Sequence, residues 1–434
     1  MLHCGQDHHP LKNLKDRRWV ELIPYLENFH IPGGVVGNLA ATSFRLGLLI
    51  LVGRAVAQNL GSQGIVVMGQ LQNLLSLGLA IPAMALQSGI QQAIGSAQPS
   101  QIQARSSWAL LSGQILAAIS GLFLLWLATS GFIYLPTQVH SVAWLFLPGL
   151  LAMTLVGNLQ AIAGGRGRMN RLNWFIAISG PLQALWLFGW IHLGLQGLVP
   201  GILLFGLVAA PIALGFLSPF PLSLPRLDQW KEQAQVWGPL AVMGSIAALS
   251  APYLQITIRE NVLAQGLDVA GAWQAAVRVT DLLFFTWYAA FATWALPKLS
   301  GPIAHRPGFG KLALAPLGAI GLGSALMLFG PMVLDIAYMG RFPEAISILR
   351  LQCLAEMVRA GAIPLGLILI SRRAVRTYGA LEIGSTLLQI LLVRFLVPRL
   401  GPSGAPLSVA IESALYLVVA GAFVRRRKGL PLAL

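Results

Sequence analysis

Acidic residues are scarce in this sequence: 14 Asp and Glu stand among 434 residues, against 29 Lys and Arg. All charged residues together make up 10% of the chain, well under the ~25% of a soluble globular domain. So few charges cannot cover a water-facing globule of this size. Cysteine is nearly absent. Cys4 and Cys353 make neither a disulfide framework nor a metal site, and they read as two unpaired thiols. Catalytic signatures are missing too. There is no Walker A loop, HExxH, CxxC or GxSxG, which excludes the common routes to ATP hydrolysis, zinc hydrolysis, dithiol chemistry and serine-elbow hydrolysis. Nor is there a large hydrophilic loop with clustered carboxylates, as a membrane glycosyltransferase or polymerase would need. The chain reads as a non-enzyme with no cofactor or metal.

What is abundant is apolar sequence, 56% of the residues with a mean hydropathy of +0.72. It comes in runs long enough to cross a bilayer, where ~20 apolar residues suffice, and helices satisfy their own backbone groups there. The expected fold is all-α: a polytopic membrane protein of about twelve spans. The spans fall near 35–59, 65–94, 107–130, 139–163, 173–193, 197–218, 236–259, 271–297, 312–336, 345–370, 377–397 and 403–424. The second is polar for a span, with Gln70, Gln72, Asn73, Gln87, Gln91 and Gln92, and is expected to face a bundle interior or cavity.

Net charge is +15, but the basic residues sit between apolar runs and act as topology signals, not as a nucleic-acid surface. Twenty of the 29 Lys and Arg fall on the terminal segments and the even-numbered loops, while the odd-numbered loops hold only Arg341 and Arg399. That asymmetry predicts both termini in the cytoplasm. Residues 1–32 show no cleavable signal peptide. They form a cytoplasmic leader, carrying His3, His8, His9 and His30, with either a short interfacial helix near 19–29 or no fixed structure. Residues 219–235, with Pro219, Pro221 and Pro225, form a cytoplasmic linker. It separates a six-helix lobe at 33–218 from a second at 236–424, and 425–434 form a basic tail. Six spans per half permit a parallel pseudo-repeat. Arg54 and Arg259 end corresponding spans, and Gly64–Gln70 and Gly271–Gln274 open the next ones.

Charges within the spans are costly, about 2.5–3.5 kcal/mol each at mid-bilayer on insertion scales, and such residues face an aqueous cavity or a partner. Arg45, Arg278, Asp281, Glu356, Arg359, Glu382, Arg394 and Glu412 fall within spans. Arg278 with Asp281, and Glu356 with Arg359, are three residues apart, so each pair shares a helix face. Either the pairs clip helices together, or they line a charged, water-filled cavity. Arginine suits the second role because its guanidinium grips phosphate with two hydrogen bonds.

Four stretches resemble a known family. They are AATSFRLGLLILVGRAVA at 40–57, GNLQAIAGGRGRMNRLN at 157–173, GAWQAAVRVTDLLFFTWYAAFATWALPKLSG at 271–301 and LQCLAEMVRAGAIPLGLILISRRAVRTYGALEIGS at 351–385. The pattern is similar to that of the Wzx-type flippases of lipid-linked oligosaccharides. These form the polysaccharide-transporter branch of the multidrug/oligosaccharidyl-lipid/polysaccharide (MOP) exporter superfamily, and the likeness is greatest to lipid III flippases of enterobacterial common antigen synthesis. The resemblance implies two six-helix lobes around a central cavity in a bacterial inner membrane. It also implies a polyprenyl-diphosphate-linked oligosaccharide as substrate, moved to the outer leaflet by alternating access. In that setting Arg45, Arg54, Arg259 and Arg278 are expected to attract the diphosphate. Asp281, Glu356, Arg359 and Glu382 tune the cavity charge or bind a coupling proton or sodium ion. Membrane lipid and a glycan polymerase or assembly proteins are the other implied partners. The chain departs from the family at Arg278, where a small polar residue is usual. Rival readings are a multidrug exporter of the same superfamily, a non-transporting scaffold of a polysaccharide assembly complex, and a membrane enzyme acting on the same lipid.

The sidedness is testable by thiol labelling after Cys4 and Cys353 are replaced. Arg341→Cys is expected to react with a membrane-impermeant maleimide on intact cells, and Arg168→Cys only after permeabilisation. The reverse pattern would invert the topology.

Overall fold

The computed structural model describes residues 33–95, 97, 99–130, 140–217, 230–300, 309–372 and 374–426. The leader 1–32, most of the linker and the tail beyond Arg426 lie outside them, as do the histidines and Cys4 placed there. No strand occurs among the described residues.

Helix α1 covers Gly33–Leu79. It is two spans joined at Gly61, whose φ of 61° and ψ of −151° lie in a region that side-chain-bearing residues avoid. A π-helical turn at Ala80–Ala85 then leads into α2, Leu86–Gly95. Pro82 lies in that turn; proline has no N–H to complete an ordinary helical ladder, and the wider turn takes up the defect. There follow α3 at Pro99–Ser130, α4 at Phe146–Gly165, α5 at Met169–Ile191 and α6 at Leu195–Leu217. The second half holds α7 at Trp230–Leu263, α8 at Leu267–Ser300, α9 at Leu314–Tyr338, α10 at Ala345–Ser371, α11 at Val375–Leu400 and α12 at Gly404–Arg426.

Among the described residues, nine stretches are long and apolar enough to cross a membrane. Two of them, Ala40–Gly95 with 56 residues and Arg376–Arg425 with 50, each have length for two crossings. Helix α7, 34 residues long, has the length for one crossing but is not among the nine. Helices overrun the expected spans where polar helix formers continue the ladder. Helix α3 starts at Pro99 ahead of Gln101 and Gln103, with proline in its favoured first-turn place. Helix α7 starts at Trp230, inside the expected linker.

The bundle has two lobes. In the first, α1 packs on α5, α3 on α4, and α4 and α5 on α6; in the second, α8, α9 and α12 pack on α10, while α7 and α12 pack on α11. Small residues let backbones close up: a Cβ added to Gly149 of α4 would strike the carbonyl oxygen of Leu203 in α6. Leu185, Leu328, Leu391 and Val418 point outward as lipid-facing surface.

The lobes are joined unequally. At the end where Gly61 and Gly266 turn the chain, one hydrophobic core runs through both lobes. It includes Val52, Val56, Ile65 and Met68 from the first lobe and Trp273, Ala276, Val277 and Tyr338 from the second. Toward the other end each lobe has its own core, around Ile90, Trp108, Leu159 and Phe175 in one and around Phe291, Leu312, Leu369 and Tyr378 in the other. Contacts of α7 with α2 and the π-helical turn also bridge the lobes. The packing approximates a wedge, pinned at its turn end and joined again where α7 meets α2 and the π-helical turn, with Gly244 close against the Ala85 backbone.

Overpacking a core costs about 1–3 kcal/mol. Gly149→Val is expected to lower the unfolding temperature in detergent by several degrees. Gly189→Ala in α5, where an added Cβ meets nothing within 4 Å, is expected to leave it unchanged or raise it slightly. Equal effects in thermal scans would count against the close α4–α6 contact.

Candidate functional site

Apart from Arg45, the charged residues of the spans lie near the turn end of the seam or in the second lobe. Arg259 stands on the last turns of α7, just before the chain reverses at Gly266. The residue is 2% exposed, and its guanidinium is held by amides. Nε and Nη2 donate to Gln274 Oε1 at 3.0 and 2.5 Å, and Nη1 donates to Gln70 Oε1 at 2.7 Å. With its amide oxygen turned inward, Asn73 accepts from Nη1 and Nη2 at 3.1 and 3.2 Å. The indole of Trp273 lies 5.8 Å from the guanidinium carbon, within cation–π range. Gln70 and Asn73 belong to the first lobe and Gln274 to the second, so Arg259 clasps the two. Hydrogen bonds to a charged group contribute about 1.5–3 kcal/mol each. Gly69 makes room: a Cβ there would meet Gln274 and Arg259. Further bonds cross the same seam. Arg54 Nη1 donates to the Ile336 carbonyl at 3.3 Å, Ser62 to Asp268 at 2.5 Å, and Arg341 to the Ala57 carbonyl.

Helix α8 carries the next charges. Residues 271–280 are all buried, and Asp281 is the first exposed position after them. Arg278 is 9% exposed, and its Nη1 is enclosed with no hydrogen-bond partner among the described residues. Although three apart on one helix face, Arg278 and Asp281 form no ion pair. Arg278 is close enough to Arg259 for the charges to interact, and Asp281 senses Arg259, Arg278, Glu356 and Arg359.

The other pair does close. Arg359 Nη1 lies 3.2 Å from Glu356 Oε1. Glu356 also accepts from Gln352 Nε2 at 3.1 Å and from the Tyr288 hydroxyl at 3.2 Å. Arg359 faces a cavity of about 270 Å³ between α7, α10, α11 and α12. Its polar wall includes Tyr378, Glu382, Ser385, Gln389, Glu412 and Tyr416. Tyr416 donates to Glu382 at 3.2 Å, and Ser385 donates to Glu412. The electrostatic neighbours continue from Arg359 to Glu412 and Glu382. The result is a polarised file, basic at the seam and acidic in the second lobe.

Six of the eight residues singled out from sequence therefore join one cluster: Arg259, Arg278, Asp281, Glu356, Arg359 and Glu382. The other two do not. Arg54 sits on the seam. Arg45 lies in the first lobe, donating to Gln183 Oε1 of α5 at 2.9 Å, with Gly180 leaving space for its stem. Tyr288, Gln352, Tyr378 and Tyr416 had no place in the sequence reading. Helical spacing carried the signal: Gln352, Glu356 and Arg359 share one face of α10, and Tyr378, Glu382, Ser385 and Gln389 share one face of α11. Among the described residues no cluster of His, Cys, Asp and Glu is fit to hold a metal ion.

No protein-family model and no curated protein matches the chain. Its fold does match solved structures. A MOP superfamily transporter from Pyrococcus furiosus, whose description speaks of a binding pocket of reverse polarity, superimposes with a TM-score of 0.66 at 16% identity, over 91% of this chain and 95% of that one. A MATE-family multidrug resistance transporter of the MOP superfamily in an inward-facing conformation gives 0.67 at 16% identity, over 91% and 98%. An outward-facing form gives 0.64 at 15%, over 91% and 95%. The chain thus has the two-lobed MATE-like fold.

Breaking a buried pair by removing one partner is costly, whereas removing both often is not. Glu356→Leu is expected to destabilise by about 1–3 kcal/mol, the figure for a polar group left unmatched, tempered because Arg359 is 39% exposed. Glu356→Leu with Arg359→Leu is expected to lie closer to the parent than Glu356→Leu alone. Additive losses in thermal unfolding would show that the pair is not coupled.

Proposed function

We propose that this chain is an alternating-access membrane transporter that flips a polyprenyl-diphosphate-linked oligosaccharide from the cytoplasmic to the outer leaflet of a bacterial inner membrane. The observation that carries the proposal is Arg278, an enclosed guanidinium with an unmatched donor, beside a second guanidinium at Arg259. A buried polar group without a partner is unfavourable, and a diphosphate supplies the acceptor that Arg278 lacks. Arg45 and Arg54 extend the basic surface in the first lobe and at its seam.

The physical task fits the wedge. A diphosphate and its sugars cannot enter hydrocarbon unaided, so the protein must replace water for the head group. The lipid tail remains in the bilayer through the gap between lobes. The basic-loop asymmetry puts the turn end, with Gly61 and Gly266, on the outer side, so the substrate loads from the opposite, cytoplasmic end. Asp281, Glu382 and Glu412 have the chemistry to hold a coupling proton or sodium ion. The structural neighbours are described as transporters, which supports transport as the activity.

A second reading has its own support. The cavity near Glu382 and Glu412, with Tyr378 and Tyr416, is acidic and aromatic, a lining suited to an organic cation, as in a multidrug exporter.

Reconstituted flipping of a fluorescent polyprenyl-diphosphate glycan separates the two. Arg278→Ala and Arg45→Ala are expected to cut the rate about tenfold or more, equivalent to ~1.4 kcal/mol per factor of ten, with Arg278→Lys partly restoring it. Normal rates in both folded alanine variants would overturn the anionic-lipid reading. Cation efflux that depends on Glu382 and Glu412, without lipid flipping, would establish the exporter.

A further inference from the structure

We infer that Arg259 is a gate residue which an anion opens, by taking the place of Gln70 and Asn73. The inference rests on the anionic-substrate reading above and concerns how that substrate parts the lobes. Three features lead to it. First, the partners of Arg259 are neutral amides, so the guanidinium keeps its full charge while clasped. A carboxylate in their place would make a lasting salt bridge; amides satisfy geometry and leave the charge available to an anion. Second, the bonds divide by lobe. Gln274 shares the second lobe with Arg259, whereas Gln70 and Asn73 lie across the seam on α1. Parting the lobes therefore breaks the bonds to α1 and frees Nη1, with Gln274 still holding Nε and Nη2. Third, Arg278 stands near enough to feel this charge and has an unmatched Nη1 of its own. An anion with two phosphate groups can bridge the two guanidiniums and relieve their repulsion. It binds the parted state better than the clasped one, and a ligand with that preference shifts the population toward parting. The substrate head group is then the signal that opens its own exit.

The test uses the full chain in nanodiscs, with Cys4 and Cys353 replaced and spin labels at Gln63→Cys and Leu267→Cys, on either side of the seam bond between Ser62 and Asp268. Inter-label distances are measured with inorganic pyrophosphate, with chloride at equal ionic strength, and in nanodiscs carrying a polyprenyl diphosphate. Radiolabelled pyrophosphate binding is measured in parallel on parent and Arg278→Ala protein. Pyrophosphate or the lipid, but not chloride, is expected to add a population at longer separation; which of the two does so tells a free ion from a lipid head group. Gln70→Glu is expected to raise the anion concentration needed by about tenfold or more. Gln70→Leu is expected to widen the distance without any anion, which also shows that position 70 tolerates change. If Gln70→Glu opens as readily as the parent, or if anions bind in an Arg278-dependent way while the seam stays closed, the gate inference is wrong and the transport reading stands. If neither anion binds, both fall.

Discussion

A guanidinium carried into the bilayer interior must be matched by acceptors. This constraint organises the molecule. Arginine cannot shed its proton at physiological pH, so each one placed at depth forces polar partners around it. Arg259 is met by Gln70, Gln274 and Asn73, which accounts for two of the polar residues of the second span. Arg45 is met by Gln183 and Arg359 by Glu356. Arg278 alone of these has a fully buried donor without a match among the described residues.

The ways of meeting the constraint divide the molecule into zones. Near the seam the matches are neutral, so positive charge persists there. In the second lobe the matches are carboxylates, and the wall formed by Glu382 and Glu412 adds negative charge beyond what Arg359 cancels. The field therefore changes sign between the seam and the second lobe.

Packing treats the two ends of the seam differently. The shared core around Met68, Trp273 and Tyr338 holds the lobes together where Arg259 clasps them. At the opposite end each lobe has its own core, and α7 against α2 and the π-helical turn joins them. Hydrophobic contact gives a bilayer-embedded seam little driving force, because lipid tails are equally apolar. The hydrogen bonds at Arg259, Arg54, Ser62 and Arg341 therefore decide how firmly the seam closes.

Hydropathy was enough for the all-α membrane class, because bilayer thickness and insertion energetics act on local composition. The in-span charges were equally legible, since so few exist. The pseudo-repeat was also visible as Gln70 and Gln274 in matching positions, but not that both would grip one arginine. Which charges meet depended on how helices distant in sequence pack. Equal three-residue spacing gave an ion pair at Glu356–Arg359 and none at Arg278–Asp281, because Gln352 and Tyr288 steady one carboxylate while α8 leaves its buried seam at Asp281. The wedge, the amide clasp and the acidic cavity exist only through contacts between lobes and helices, and no local pattern of residues encodes those distances.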